Sequence, residues 1–548
     1  MIATRAQAEA QPVENETATL AEARAAQYAP QEAGPADERL VFTATGFDQP
    51  GVPRIADGSN TGQLQLTILD KQTGKPTFCR VNVVGPEGNF YQPLDHPLKQ
   101  HSLTGRWPNS AWGNRLGKPP IRYFGHFFYS DGTDTVTVPA GKVRVEVWKG
   151  FEYRPETLTT QIMPGQTGSL RLQLTQTVPM QTTGYWSGDP HLHITRRSDQ
   201  DETRILDLLE AEDVHFGAIL AYNEPPGPYA GTMDRMDSPQ FRGLGRRSIL
   251  SRGTYTIVSG QEYRSSPYGH LNLYMLDQLV AKGESFNADH WPPFGLVARA
   301  AKKLGGVAVF AHGGYALEVY ADVVHDNFDC VELLQFSLYR GIGLIDWYHM
   351  LNCGFRVPAT GASDYPPCRK MSDCRTYVHA LPAKVTPDPT ETASHNLPAG
   401  TPSPSVSSTS HSPSTAAPSC DQWMRGMARG QSFFTSGPLL LLEVDGHRPG
   451  ARITKPEPGP HTLSVRIRVR SEVTPITHVQ LIANGRILKE VKVPAETGQG
   501  EWLQLEQSVH LKESAWLAAR AFSHSRLGTP DAEAHTNPIY VYIDGRAP

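Results

Sequence analysis

The hexapeptide Gly-Asp-Pro-His-Leu-His at 188–193 carries two histidines at a spacing suited to metal binding. His191 and His193 are two residues apart, so in an extended segment both imidazoles project from the same face. Neutral imidazole is the commonest protein ligand for metals, and this pair would supply part of a first coordination shell. Asp189 lies two residues earlier on that face, where its carboxylate would bind a metal or orient an imidazole. Taken alone, the motif is explained equally well by a solvated loop.

Further polar side chains stand just past apolar runs in the middle of the chain. They follow the runs Thr254–Val258, Val307–Phe310 and Val357–Thr360. The side chains are Glu262, His270, His312 and Asp364. Loops at the carboxyl ends of barrel strands converge on one face, where enzymes of that architecture gather their active sites. One such histidine alone is more often structural, but the four side chains together with the His-x-His pair predict a metal site.

The elements that must position these side chains alternate between helix and strand. Ile205, Leu208 and Leu209 fall on one helical face, and the apolar run Phe216–Tyr222 that follows them is typical of a buried strand. Repeated alternation of this kind predicts a parallel sheet or barrel over residues 179–383.

Period-two alternation on either side predicts two β-sandwiches. In residues 61–178, a Leu-x-Leu-x-Ile pattern begins at Leu64, and glycine- and proline-containing turns separate it from later alternating runs. In residues 437–548, the pair Asn484-Gly485 between two apolar runs is a strong hairpin signal.

Three further segments complete the division of the chain. Residues 1–60 have little periodic apolar pattern and are predicted to form a loosely ordered tail. Residues 384–419 are dense in Ser, Pro and Thr, so they would bury too little surface to offset their ordering entropy, and a disordered insertion is predicted. Residues 420–436 then supply the last helix and strand of the middle domain.

The composition is that of an ordinary globular protein. The chain has 548 residues, enough for roughly two to four domains. Its net charge of −4 argues against a nucleic-acid partner, since such proteins are usually basic. No apolar run reaches the length of about 18 residues that a membrane helix needs, so no membrane span is predicted. Because the N-terminus lacks the apolar core of a secretory signal, the chain is expected to be cytoplasmic, or exported with its signal missing.

Four ordered blocks of the middle region match the pattern of one known superfamily: GDPHLH (188–193), GQEYRSSPYGHLN (260–272), FAHGG (310–314) and TGASD (360–364). On these blocks the region resembles the PHP (polymerase and histidinol phosphatase) superfamily of metal-dependent hydrolases, and more narrowly the carbaryl-hydrolase-like CehA/McbA family. The blocks RTYVHA (375–380) and ARGQSFFTSGPLLLLEVDG (428–446) are similar to that family as well.

This resemblance implies a multidomain α/β plus all-β protein. Its centre would be a PHP-type distorted (β/α)7 TIM-like barrel, flanked by the two β-sandwiches. The segment Asp131–Pro155 also resembles carboxypeptidase-regulatory or transthyretin-like sandwiches, which precede many hydrolase domains.

The resemblance also implies a ligand set. His191, His193, Glu262 and Asp364 would hold one metal ion, and Glu262 would bridge to a second ion held by two further histidines. These two are His270 and His312.

This chain departs from members of the superfamily that bind three metals. Their Thr-Asp-His-Asn motif is replaced by Ala221–Glu224, and Asp364 is followed by Tyr365-Pro366 instead of a histidine. The position of a third early histidine falls near Ser198-Asp199. Because all these departures remove the third site, the cofactors predicted are two divalent ions, which would be Zn, Mn or Fe.

A binuclear centre of this kind would make the protein a hydrolase. Two bridged ions lower the pKa of a shared water and polarise a carbonyl or phosphoryl oxygen, so an ester, carbamate, amide or phosphoester bond is the expected target. Asp364 or Asp189 would relay the proton to the leaving group. The candidates for contact with a small-molecule substrate are Tyr222, Asn223, Arg264, Asn272 and Tyr365.

A function of another class stays open. The two sandwiches and the missing third-site histidines also fit a metal-stabilised, catalytically silent binding or scaffold protein. Retention of all six ligands in the implied set favours the enzyme, since a structural role rarely needs an open two-metal site. The oligomeric state is left open by the sequence.

Overall fold

A computed structural model describes twelve stretches of the chain: 60–96, 98–103, 127–223, 242–265, 268–280, 293–314, 318–335, 338–366, 370–381, 417–494, 497–523 and 532–548. The predicted tail over 1–60 and the predicted insertion over 384–419 lie almost entirely outside these stretches.

Two sheets form the N-terminal part. Their strands are β1 (Thr61–Asp70), β2 (Cys79–Val84), β3 (Phe90–Tyr91), β4 (Phe128–Ser130), β5 (Thr133–Pro139), β6 (Gly141–Trp148), β7 (Tyr153–Arg154), β8 (Glu156–Ile162) and β9 (Thr167–Gln176). One sheet has the order β5-β1-β9-β7, and the other has the order β3-β2-β6-β8 with β4 against β2. The predicted alternation is confirmed in β1, where Leu64, Leu66 and Ile68 are buried in a core that both sheets share.

The middle part carries the five α-helices of the described stretches. Its elements are β10 (Tyr185–Leu192), α1 (Asp199–Ala211), β11 (Phe216–Asn223), β12 (Gly245–Arg252), β13 (Tyr255–Ser265), β14 (Gly269–Tyr274), α2 (Phe294–Lys303), β15 (Val307–Phe310), α3 (Glu318–Val324), β16 (Cys330–Gln335), β17 (Leu338–Tyr339), α4 (Gly343–Asn352), β18 (Ala359–Gly361), β19 (Arg375–His379), α5 (Cys420–Ala428) and β20 (Ser432–Thr435). Short 3-10 turns occur at Lys99–His101, Met180–Thr183 and Ala311–Gly313.

The C-terminal part is built from strands alone in the stretches described. They are β21 (Leu439–Val444), β22 (Arg452–Lys455), β23 (His461–Arg470), β24 (His478–Ala483), β25 (Arg486–Lys492), β26 (Leu503–Leu511), β27 (Ala515–Phe522), β28 (Glu533–Thr536) and β29 (Ile539–Ile543). The hairpin predicted at Asn484-Gly485 is confirmed between β24 and β25. Both residues have positive φ, 49° and 78°, as a type I′ turn requires.

The predicted central (β/α)7 TIM-like barrel flanked by two sandwiches is wrong. The strands from β10 to β20 belong to one 17-stranded mixed sheet, which continues through the β20–β28 pairing into strands of the C-terminal part. Among the described residues, strand makes up 48% and helix 16%, which is too little helix to surround a barrel. The error has a physical cause. Apolar runs reveal that strands exist but not how they pair, and β12, β14, β17 and β19 pair antiparallel with neighbours that a barrel would make parallel.

Several strands near the candidate ligands are nevertheless parallel to one another. Strands β10, β11 and β13 run parallel to one another, and so do β15, β16 and β18. The predicted helical face is confirmed in α1, where Ile205, Leu208 and Leu209 are buried, and the Ser198 side chain caps the first turn by accepting from the Asp201 amide. No helix in the described stretches is long and apolar enough to cross a membrane.

Candidate metal centre

The two histidines of the opening motif face each other at the end of β10. Their Nε2 atoms are 3.0 Å apart and both rings are buried. His191 Nδ1 lies 3.0 Å from both carboxylate oxygens of Glu332, and His193 Nδ1 lies 3.4 Å from the carbonyl oxygen of Leu220. Because oxygens of these two kinds accept hydrogen bonds, both Nδ1 atoms carry the ring hydrogen in neutral imidazoles. Both Nε2 atoms then face each other, and a cation bound between them would take the place of a proton.

Two carboxylates complete this first group of donors. Glu262 on β13 has one oxygen 3.4 Å from His191 Nε2 and the other 3.4 Å from His193 Nε2. Asp364 follows β18, and its Oδ1 is 3.4 Å from each of the same nitrogens. Ligands held about 2.0–2.2 Å from a tetrahedral ion are separated from one another by roughly 3.4 Å. The spacing of these four side chains therefore suits one ion.

A second group of donors shares Glu262 with the first. Its Oε1 is 2.8 Å from His270 Nδ1 and 3.4 Å from His312 Nε2, and these two nitrogens are 2.9 Å apart. His312 Nδ1 lies 2.9 Å from Gln335 Oε1, which directs the Nε2 lone pair towards the group. The structure thus brings all six predicted ligands into overlapping clusters that could hold a metal ion.

Arg264 makes the second group less favourable for a cation than the first. Its Nε donates to His270 Nε2 at 3.1 Å and lies 3.5 Å from Glu262 Oε2. Since a guanidinium only donates, His270 Nε2 is an acceptor, and the hydrogen of the neutral ring sits on Nδ1, the atom that faces the group. A metal ion there would compete with that hydrogen and with the positive charge of Arg264.

Burial and charge act against each other on the ionisable groups. Burial raises the pKa of Asp364, but His191 and His312 outweigh it and hold that pKa below its usual value. Burial likewise raises the pKa of Glu262, and His270 and Arg264 outweigh it, so this pKa is lowered too. Both carboxylates are therefore ionised at neutral pH, which is the state a metal ligand needs.

The backbone at two of the donors is left-handed. His312 has φ 54° and Asp364 has φ 53°. Aspartate and histidine adopt this region more readily than most residues, but non-glycine residues rarely occupy it. After His312, Gly313 also has positive φ, and a Cβ there would lie 1.9 Å from the carbonyl oxygen of Arg340. The loop after β15 is therefore pressed against the neighbouring loop, and this contact fixes where His312 points.

Two of the donors are partly exposed to solvent. The side chains of His191, His193 and Glu262 are at most 1% exposed, whereas those of Asp364 and His270 are 14% and 22% exposed. Solvent therefore meets the donors at Asp364 and His270.

The carboxylate of Asp189 is occupied by hydrogen bonds. Its buried carboxylate accepts hydrogen bonds from the amide and hydroxyl of Ser363, from the Ser372 hydroxyl and from the His191 amide. Burial raises the pKa of Asp189, and these hydrogen bonds counteract part of that rise. Asp189 thus fixes the loop that carries Asp364, and its role as a proton relay stays a prediction.

The predicted substrate contacts have different surroundings. Asn272 Nδ2 donates to Glu332 Oε1 at 2.7 Å, so it positions the carboxylate behind His191. Tyr365 donates its amide to the Ser363 hydroxyl and accepts from the His193 amide at 2.8 Å through its carbonyl oxygen. The side chains of Tyr222 and Asn223, at the end of β11, lie outside the described part of the chain.

Sequence reasoning missed Glu332 and Gln335, which lie behind His191 and His312. Both are on β16, whose sequence is CVELLQ, and both are completely buried. A carboxylate inside a buried apolar strand needs a charged or hydrogen-bonding partner. The presence of Glu332 within this apolar run could therefore have indicated a buried polar partner such as a metal-binding histidine.

No protein-family model and no curated protein matches this chain. Among solved structures, PsfC from Pseudomonas syringae PB-5123 is 16% identical, with 36% of this chain and 83% of that chain covered and a TM-score of 0.25. The minor pilin GBS52 from Streptococcus agalactiae is 12% identical, with 22% and 45% covered and a TM-score of 0.14. Scores this low do not indicate a shared fold.

Proposed function

We propose that this chain is a metal-dependent hydrolase whose centre holds two divalent ions bridged by Glu262. The observation that carries the proposal is the pair of donor groups that share this carboxylate. His191, His193 and Asp364 would hold the first ion. His270 and His312 would hold the second.

The donor chemistry favours catalysis over a purely structural role. Structural zinc sites are usually closed by four protein ligands, whereas this centre has six donors and opens to solvent at Asp364 and His270. The sequence blocks similar to the CehA/McbA family of the PHP superfamily contain all six donors, and on them we propose membership of that family.

The chemistry follows from the donors. Two bridged ions would supply a water of lowered pKa and would polarise the carbonyl or phosphoryl oxygen of an ester, carbamate, amide or phosphoester. Asp364 is ionised and partly exposed, so it would accept the proton of that water and donate it to the leaving group. Glu332, behind His191, would keep the imidazole oriented while this happens.

Elemental analysis of the purified protein is the first test. We expect about two metal equivalents per chain, and a clear loss of metal in Glu262→Gln, because two divalent ions need the bridging carboxylate. Glu506→Gln, on the exposed face of β26, is the matched control and should keep its metal. Near-zero metal after reconstitution with Zn, Mn and Fe would overturn the proposal.

A substrate panel separates the hydrolase from the scaffold protein. Metal-dependent turnover of carboxylic esters, amides or phosphoesters that is lost in His191→Ala supports the hydrolase. The alternative result is that metal removal lowers the thermal denaturation temperature while no substrate of the panel is turned over. That result would identify a metal-stabilised binding protein.

A further inference from the structure

A pocket of about 250 Å³ opens beside the metal centre on the side of His193. The N-terminal part forms one of its walls through Gln100 and His101, from the 3-10 turn after β3. Ile194, Tyr365 and Pro366 form another wall, which is mostly apolar. One donor residue, His193, and the turn after β3 therefore line the same pocket.

The two walls are joined by a direct contact. His101 Nδ1 lies 3.0 Å from the hydroxyl of Tyr365, and the two ring centroids are 6.1 Å apart. The carbonyl oxygen of Tyr365 accepts from the amide of His193, so the same residue also contacts the donor-bearing strand. A change at His101 therefore alters the pocket next to a metal donor without touching the donor itself.

The pocket offers no net charge. Burial, and to a smaller extent Arg204, lower the pKa of His101 to about 4, so its ring is neutral at neutral pH. The guanidinium of Arg204 lies 3.8 Å from a carboxylate oxygen of Asp201, and both groups line the pocket. The one cationic side chain that lines the pocket, Arg204, already faces a carboxylate, so an anionic group would gain little there. An apolar group would contact Ile194 and the rings of His101 and Tyr365.

We propose that this pocket binds the uncharged apolar substituent of a carboxylic ester or amide, with the reacting carbonyl beside His193. The inference rests on the hydrolase function proposed above and adds its substrate class. In the reaction, water adds to the carbonyl carbon, the bond to the alcohol or amine breaks, and a carboxylic acid and the protonated leaving group are released.

Two series of esters test the proposal with the metal-loaded full chain. The acyl arm compares p-nitrophenyl acetate with p-nitrophenyl hexanoate, and the alcohol arm compares methyl acetate with hexyl acetate. The pocket would hold either the acyl or the alcohol part of the ester, so we expect a chain-length preference in one of the two series. In that series the longer substrate should have a kcat/KM about tenfold higher, because its added methylenes are buried in the pocket. p-Nitrophenyl phosphate should be a poor substrate.

Two substitutions at His101 should move this selectivity in opposite directions. His101→Trp fills the pocket and should abolish the advantage of the longer ester. His101→Ala enlarges the pocket and should shift the optimum to chains longer than six carbons. Lys99→Ala is the matched control, because Lys99 lies on the same turn but does not line the pocket. Metal content should be the same in all variants.

The outcomes distinguish this inference from the proposed function. The pocket assignment would be overturned by metal-dependent turnover that shows no chain-length preference in either series. It would also be overturned if both His101 variants affected all esters equally. Neither result would contradict the proposed hydrolase function. Faster turnover of the phosphate than of any ester would also overturn the pocket assignment. The absence of turnover of every substrate by the metal-loaded protein would overturn both.

Discussion

The carboxylate of Glu332 lies 3.0 Å from His191 Nδ1, and both side chains are completely buried. The second oxygen of the same carboxylate accepts from the backbone amide of His312 at 3.1 Å. Burial would lower the pKa of His191, but Glu332 and Asp364 outweigh it and raise that pKa well above its usual value. One carboxylate behind the donors therefore orients two of them and strengthens the basicity of one.

Replacing Glu332 by glutamine should weaken metal binding. The substitution keeps the shape of the side chain but removes the charge that orients His191, and losses of this kind cost about 10–100-fold in affinity. Competition with a chromogenic chelator measures the effect. Glu490→Gln, on the exposed strand β25, should leave the affinity unchanged. Unaltered affinity in Glu332→Gln would show that His191 is oriented by other groups.

The donor side chains were predictable from sequence because each stands near the end of a strand. His191, His193, Glu262, His312 and Asp364 are separated along the chain by up to 173 positions, yet runs of apolar residues before them indicated which ends they follow. Their supporting groups were less visible. The sequence pattern puts Asp189 on the same face as the two histidines, but its carboxylate accepts hydrogen bonds from the hydroxyls of Ser363 and Ser372, on either side of Asp364.

The sheet topology was much harder to predict than its strands. An apolar run such as Val307–Phe310 is compatible with parallel or antiparallel neighbours, and β15 has one of each. Strand β20 also pairs with β28, about a hundred residues later, so the middle sheet extends into the C-terminal part. Periodicity within a segment carries no information about such distant pairing.

Replacing Arg264 by methionine should strengthen binding of the second ion. The change removes a positive charge near His270 and Glu262, and it frees His270 Nε2 to carry the ring hydrogen so that Nδ1 can bind a metal. Relief of charge repulsion next to a divalent ion should raise the affinity at least about tenfold. Titration calorimetry resolves the two binding steps. Arg486→Met, on β25, is the control, and weaker binding in Arg264→Met would mean that this arginine supports the site.

Replacing Gly313 by alanine should destabilise the protein and displace His312. A Cβ at Gly313 would meet the Arg340 carbonyl at 1.9 Å, whereas one at Gly305, which also has positive φ, has nothing within 4 Å. Gly305→Ala therefore measures the backbone cost alone, about 1–2 kcal/mol. Urea denaturation with EDTA present should show a larger loss of unfolding free energy for Gly313→Ala than for Gly305→Ala. Metal content should fall in Gly313→Ala only. Equal losses would show that the contact relaxes freely.

His535 is an uncharged histidine in the core between α4 and the C-terminal strands. Its Nε2 is 2.6 Å from the hydroxyl of Tyr348, its Nδ1 is 2.7 Å from the carbonyl oxygen of Thr536, and its ring stacks on Phe434. Burial lowers the pKa of His535 to about 3, the Thr536 carbonyl counteracts part of this, and the charge of Arg520 lowers the pKa further. The folded protein therefore resists protonation of this ring.

Acid should destabilise the fold through His535. The unfolded chain binds a proton at this residue below a pKa of about 6.5, while the folded chain does so only near 3, so stability falls as pH drops from about 6.5 towards 3. Between pH 7 and pH 5 the loss is on the order of 2 kcal/mol. His535→Phe should be less stable at pH 7, because Tyr348 loses its partner, yet its urea midpoint should change less between the two pH values. His447→Gln, at an exposed turn, should keep the full pH dependence. An unchanged pH dependence in His535→Phe would assign the acid sensitivity to other groups.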